Sequence, residues 1–226
     1  MQGTASSISL VVMMLSDFVG RVLDIVGTPR PTEKLVRTIT LQRLRTLTLR
    51  GDRSGSLPYH DEHVRALVWE LKYYANKRAA VLAGAILSDV LIGIASESLG
   101  KPLLIPVPMH KTRRRERGHN QTEVLCKAAL VQAHSFYEYF PHILVRVRHT
   151  PAQQSLHKYE REQNLKGSMQ IKNKSNLDKI NLNCVRGRVC VVVDDVSTTG
   201  ATFAEATRAL KSAGAAHVEC VALAYS

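Results

Sequence analysis

A chain of 226 residues with 45% apolar side chains can bury the core of one domain and carry a helical extension besides. Its formal net charge of +12 favours anionic partners (a polyphosphate, nucleic acid or an anionic surface) without choosing among them. The four cysteines, Cys126, Cys184, Cys190 and Cys220, are scattered and form no CxxC pair. That argues against a zinc knuckle and a disulfide framework, so no zinc is expected and a reducing cytoplasm is the expected setting.

Taken in chain order, residues 7–26 read as an amphipathic helix, with an apolar run at 8–15 followed by Asp17, Arg21 and Asp24. The run is too short to cross a bilayer and lacks a basic leader, so neither a transmembrane segment nor a signal peptide is expected. Its apolar face is read as packing on the body of the protein or on a second subunit, which makes a homodimer the expected assembly. The prolines of Gly27-Thr-Pro-Arg-Pro31 end that helix. Residues 34–53 carry Arg37, Arg43, Arg45, Arg50 and Arg53 without an aromatic residue, so bases would find no stacking platform there. This stretch reads as a solvated basic connector. A linker at 51–58 then divides a helical and basic extension, 1–58, from a main domain, 59–226.

In that domain Val64, Leu67, Val68 and Leu71 recur at helical spacing between 60 and 74, and a longer helical pattern covers 77–96. Gly100 stops it, and 101–107 is a short apolar strand. Residues 121–133 are helical, and strand candidates follow at 142–147 and 167–171. The last unit is a strand from Val189, a helix over 202–213 with Phe203, Ala206 and Leu210 inward, and a strand over 217–224. Strands alternating with helices predict an α/β fold with a parallel sheet. Cys190 and Cys220 fall in strand patterns, as small buried thiols do.

Three segments carry chemistry. The run from Val189 to Val193 suits a strand buried on both faces, and it leads straight into Asp194 and Asp195. Ser197, Thr198, Thr199, Gly200, Ala201 and Thr202 then open a helix, where backbone N–H groups and hydroxyls can wrap a phosphate. An acid pair beside a phosphate cradle, at the carboxyl end of a strand, is where open α/β sheets bind ligands. The second segment, Ile105-Pro-Val-Pro-Met-His-Lys-Thr-Arg-Arg-Arg-Glu-Arg-Gly-His-Asn-Gln121, runs from a strand through a basic loop into a helix. Its guanidinium groups suit a pyrophosphate, which arginine grips through forked hydrogen bonds. The third, 146–164, is polar and weakly periodic, as a lid closing over a bound ligand would be.

In this order the pieces resemble the ComF family, a branch of the type I phosphoribosyltransferases. They are Leu71-Lys72-Tyr73, Pro106-Val107-Pro108, Arg117-Gly118-His119-Asn120-Gln121, Thr150-Pro-Ala-Gln153, then Leu156, Arg161 and Asn164, and last Asp194 to Thr202. Many members of that family begin with a four-cysteine zinc module, whereas here no cysteine precedes Cys126. The resemblance implies a type I phosphoribosyltransferase fold, a mostly parallel central sheet flanked by helices, with 1–58 as an N-terminal helical extension.

The resemblance also implies 5-phosphoribosyl-1-pyrophosphate (PRPP) and Mg²⁺ as ligands. Asp194 and Asp195 would hold the ribose hydroxyls and, partly through PRPP, the Mg²⁺; with Arg161 they form the expected catalytic set. Residues 197 to 202 (Ser197, Thr198, Thr199, Gly200, Ala201, Thr202) would take the 5-phosphate. His110, Lys111, Arg113 and Arg117 would face the pyrophosphate, and Thr150, Gln153, Gln154 and Lys158 would belong to the lid. The expected reaction is displacement of pyrophosphate by a nitrogen acceptor, a pentosyl transfer through an oxocarbenium-like state. No base-recognition motif is readable before Lys101, so the acceptor stays open. The alternative is a non-catalytic PRPP-binding or nucleic-acid-associated factor in competence and DNA uptake, with single-stranded DNA as its partner.

Overall fold

A computed structural model describes residues 28–50, 55–148, 165–172 and 182–226. The expected helix at 7–26, the lid residues Thr150, Gln153, Gln154 and Lys158, and Arg161 lie outside the described residues.

The stretch read as a solvated connector is two helices, α1 (Pro31–Thr38) and α2 (Leu41–Arg50). Pro31 begins α1 rather than merely ending what precedes it, because a proline in the first helical turn has no N–H to waste. The exposed arginines hide an apolar stripe: Val36, Ile39 and Leu44 are buried in the same core as the rest of the fold. Counting charge alone missed that period. The linker also contributes structure, since Leu57–Pro58 is an edge strand, β1. Next come α3 (Glu62–Tyr74), capped by Asp61, whose carboxylate accepts from the N–H groups of His63 and Val64, and α4 (Lys77–Ser96), capped by Asn76.

Strand β2 (Leu103–Pro106) is followed by α5 (Lys111–Arg117), so the basic segment expected as a loop is one short helix. Helix α6 (Gln121–Ala133) starts at Asn120, which accepts from Thr122 N–H. Strand β3 (Glu138–Tyr139) then adds an edge for which the sequence reading placed no strand. The candidates at 142–147 and 167–171 become β4 (Leu144–Arg146) and β5 (Met169–Ile171), which pair antiparallel with each other and stand apart from the main sheet. The short α7 (Leu182–Val185), β6 (Val189–Ser197), α8 (Ala201–Ser212) and β7 (His217–Tyr225) complete the chain.

The main sheet has five strands in the order β1-β7-β6-β2-β3, all parallel. Period-two alternation gives each strand two faces, and both are dry. Val191, Val193 and Leu104 pack under α1 to α4 and α6. Cys190, Val192, Leu103 and Ile105 pack under α8 and the β4–β5 hairpin, where Phe203, Ala206 and Leu210 are buried as the helical stripe predicts. Helix α4 is long and apolar enough to cross a membrane by length and composition, but its middle is buried against α6 and the sheet. Gly84 permits that close crossing, since a Cβ there would lie 2.5 Å from the Ala128 methyl.

Candidate functional site at the reversal of the parallel sheet

The strand order reverses between β2 and β6. From β2 the chain moves outward to β3, and from β6 it moves the other way to β7. Helices leaving two adjacent strands toward opposite faces open a crevice at their carboxyl ends, and this is where such sheets take ligands. Strand β2 ends at Pro106, opposite Val193, and Val107 N–H still donates to Val193 O at 2.8 Å. Beyond that point β6 runs on alone on this side, through Asp194 and Asp195. The acids therefore lie inside the strand, which continues to Ser197, rather than after its end.

Alternation along β6 starts the two side chains from opposite faces, yet the carboxylates stay within reach of each other, with a cation nearby on either side. Asp195 shares the parity of Val193, toward α3, and its Oδ2 lies 3.1 Å from Lys72 Nζ. Asp194 shares the parity of Val192, toward the hairpin, where Arg146 of β4 is close enough to feel its charge. Both acids are buried. Asp195 N–H donates to Asp194 Oδ1 at 2.9 Å, and Val196 N–H to Asp195 Oδ1 at 3.0 Å. Asp195 Oδ2 has the nearby ammonium but no well-aligned hydrogen-bond donor.

The charges sort accordingly. Burial and the neighbouring Asp195 push the Asp194 carboxyl well above the usual range. Burial would raise Asp195 too, but the Lys72 ammonium together with the hydrogen bonds from Asp194 and Val196 N–H holds that carboxyl below its ordinary value. Burial works against the charge on Lys72, yet Asp195, with Tyr59 and Asp194 behind it, lifts that ammonium above its usual value. The pair thus titrates as a unit that keeps one negative charge balanced by one lysine.

Past the acids, Thr198 is exposed and Thr199 and Gly200 are half-buried at the mouth of α8. Gly200 is its N-cap residue with φ 76°, a left-handed conformation that a side chain would strain. Ser197 is buried, and Thr199 Oγ1 accepts from Ala201 N–H at 3.4 Å. The N–H groups at the start of a twelve-residue helix thus lie beside the Thr199 hydroxyl, and such a helix start suits a phosphate.

The expected pyrophosphate residues separate by role. His110 is buried and caps α5, its Nδ1 accepting from Thr112 N–H at 3.3 Å. Lys111 is exposed, while Arg113 and Arg117 are half-buried. The Arg117 guanidinium lies 4.8 Å from the Tyr73 ring centroid. Burial and then Arg117 lower the pKa of Arg113. Arg114 turns away and holds Glu123 at 2.5 and 3.1 Å, so it is a brace between α5 and α6.

Two members of the site escaped assignment from the sequence. Lys72 continues the row Val64, Val68 at four-residue spacing, so a charge on the inward face of α3 was the available signal. Arg146 heads the polar segment read as a lid. Its placement comes from the hairpin: Met169, its partner across the ladder, is tied to α8 through Glu205, which accepts from Met169 N–H at 3.0 Å, and Arg208, which donates to Met169 O at 2.9 Å. No pattern in the sequence foretells that pairing.

Comparison with known proteins agrees with this geometry. The profile of the "Phosphoribosyl transferase domain" family matches residues 147–226, which include the acid pair and the α8 mouth. The chain is 34% identical over 157 residues to the DNA utilization protein YhgH of Salmonella typhi, covering 68% of this chain and 63% of that one. It is 25% identical over 206 residues to competence protein ComFC of Bacillus subtilis, 89% of this chain and 76% of that one. Among solved structures, a B. subtilis glutamine PRPP amidotransferase aligns with a TM-score of 0.40 and 17% identity, over 69% of this chain and 30% of that one, too slight a likeness to carry weight. The chain spans about 63% of the length of the YhgH relatives it matches. With its parallel sheet, its reversal point and its acid-hydroxyl loop, the chain has the type I phosphoribosyltransferase fold, and its relatives make it similar to the ComF family.

Proposed function

We propose that the protein is a PRPP-binding phosphoribosyltransferase that displaces pyrophosphate with a nitrogen acceptor, with Mg²⁺ as its cofactor and the cytoplasm as its setting. The observation that supports this best is the continuity of the acid pair, the hydroxyl loop and the helix N-terminus at the reversal of the sheet. A ligand with a phosphate on one side of a dihydroxy ring matches that sequence of groups. The ribose hydroxyls lie against Asp194 and Asp195, and the 5-phosphate sits in the mouth of α8 between Ser197 and Thr202. Arg113 and Arg117 face the departing diphosphate, with Lys111 at the rim; His110 contributes by fixing the start of α5. Arg161 and the segment of Thr150, Gln153, Gln154 and Lys158 close over the ligand in this proposal.

The acid pair suits the metal. Two buried carboxylates offer hard oxygens, one of them lacking a directed donor. Among the described residues no third His, Cys, Asp or Glu joins them. Magnesium takes one or two carboxylates and fills its shell with water and phosphate oxygens, so Asp194 and Asp195 are the residues that would hold it. When bound, the ion neutralises charge on the leaving diphosphate. The protein's own part is electrostatic: carboxylates beside the ring favour the cation that forms on it, and the guanidinium groups favour the anion that leaves. No nucleophilic side chain is required.

The reading is tested by pyrophosphate release from PRPP in the presence of ammonia, amines and free bases. Release that depends on one class of acceptor supports it, and release with none of them leaves PRPP binding without transfer. A second reading rests on the exposed cations at the site's rim, Lys111 and Arg115, with the chain's charge of +12. In it the protein is a PRPP-responsive factor that contacts single-stranded DNA, in keeping with the DNA-utilization and competence names of its relatives. Oligonucleotide binding that weakens steeply with salt supports that reading, and salt-insensitive or absent binding removes it.

A further inference from the structure

Lys72 is held in place from three sides. Its neighbour Leu71 is fully buried in the core. The Leu71 carbonyl lies 2.8 Å from His119 Nε2, while His119 Nδ1 lies 3.0 Å from the Arg117 carbonyl, so one imidazole joins the last turn of α3 to the end of α5. On the other side, the buried Glu70 carboxylate receives Arg30, Thr32 and Asn76. Asn76 N–H also donates to Glu70 O at 3.2 Å, and Ala75 takes the left-handed φ of 45° that ends α3 there. A lysine on a freely moving surface turn has none of these restraints. This one delivers its ammonium 3.1 Å from Asp195 Oδ2, the carboxylate oxygen without an aligned donor.

We infer that Lys72 is a built-in counter-ion of the acid pair, so that Asp195 is closed to a free divalent cation until an anionic ligand draws the ammonium away. This rests on the reading of the pair as the cation- and PRPP-binding site. Two cations cannot share one buried carboxylate oxygen without strong repulsion, so the ammonium and the metal are alternatives at Oδ2. A diphosphate supplies both the negative charge that attracts the ammonium and the further oxygens that magnesium needs. The flexible lysine stem allows the head group to swing from carboxylate to phosphate while the backbone stays fixed. The consequence is an order of loading, in which metal enters with the diphosphate ligand rather than before it.

The test uses Mn²⁺ alone as the probe, followed by the free-ion signal in electron paramagnetic resonance, on the full chain without PRPP. Wild type is expected to bind Mn²⁺ weakly, and Lys72→Met at least tenfold more tightly. Lys72→Arg, which keeps the charge, should stay close to wild type, and adding Asp195→Asn to Lys72→Met should cancel the gain. Lys72→Gln, read in the same way, replaces the Met variant should that one fail to fold by circular dichroism. Equal Mn²⁺ affinity in wild type and the neutral variants overturns the inference, as does an equal gain in Lys72→Arg. A gain in Lys72→Met in a protein whose wild type ignores PRPP sinks the PRPP reading and leaves the counter-ion standing, so the two failures are distinct.

Discussion

Two buried carboxylates, one an end of the Lys72–Asp195 ion pair and the other in the same helical turn as its lysine, have opposite fates in this molecule. Glu70 is fully enclosed, and both of its oxygens are filled: Arg30 Nε and Thr32 Oγ1 donate to Oε1, Arg30 Nη2 and Asn76 Nδ2 to Oε2. Asp195 is almost as deeply buried, yet one of its oxygens meets only an ammonium that is not aligned to donate, and Asp194 beside it makes a second ionised acid costly. The first acid ties α1 to the junction of α3 and α4. The second is left with capacity for a ligand. A saturated carboxylate holds the fold and an unsaturated one waits for chemistry, even where Glu70 and Lys72 belong to the same helical turn.

The comparison breaks first at Glu70. Glu70→Ala removes the buried acid shared by Arg30, Thr32 and Asn76, leaving Arg30 with Glu33 at 3.5 Å; losing such a buried partner costs about 3–5 kcal/mol, and urea unfolding should show it. A cost under about 1 kcal/mol would mean that the network is no tether. Next is Asp194→Asn with Asp195→Asn, for which PRPP affinity is expected to fall by about two orders of magnitude, roughly 2.7 kcal/mol, with the fold intact by circular dichroism. Wild-type affinity in that variant would remove the ligand assignment.

The pH dependence sharpens the contrast. Asp194 is an acid whose folded-state pKa is raised, so the native state holds its proton more tightly than the unfolded chain. Its contribution to stability therefore declines as pH rises from the ordinary carboxylate range toward the raised value. Asp194→Asn alone should flatten that decline and gain on wild type at the high end of the window. Parallel stability curves for the two proteins would contradict it. The smallest effect is at Arg114, which is half-exposed and braces Glu123. Arg114→Ala should cost about 0.5–1 kcal/mol and leave PRPP affinity unchanged, whereas Arg117→Ala should weaken it about tenfold; equal losses would erase the division of roles within α5.

What the sequence revealed follows the reach of each signal. The core strand at Val189 and the helices 77–96 and 121–133 are local patterns that lie where their spacing placed them, while the acid pair sits within the strand rather than after it. The helices at 31–50 were obscured because their arginines outnumber a thin stripe of Val36, Ile39 and Leu44 that becomes visible only against its packing partners. The pairing of 144–146 with 169–171 joins segments separated by the long polar stretch between them, and nothing local distinguishes a hairpin there from two strands of the main sheet. Lys72 and Arg146 reach Asp195 and Asp194 from 123 and 48 positions earlier in the chain. Such contacts are products of topology. The acid pair announced a site, while the cations that tune it came from the fold.

Titration calorimetry of the full chain with PRPP, with and without Mg²⁺, tests the central claim most directly. Binding is expected to strengthen with Mg²⁺ and to weaken by about two orders of magnitude in the Asp194→Asn, Asp195→Asn variant. No heat at millimolar PRPP, or undiminished affinity after the loss of both acids, would contradict that claim.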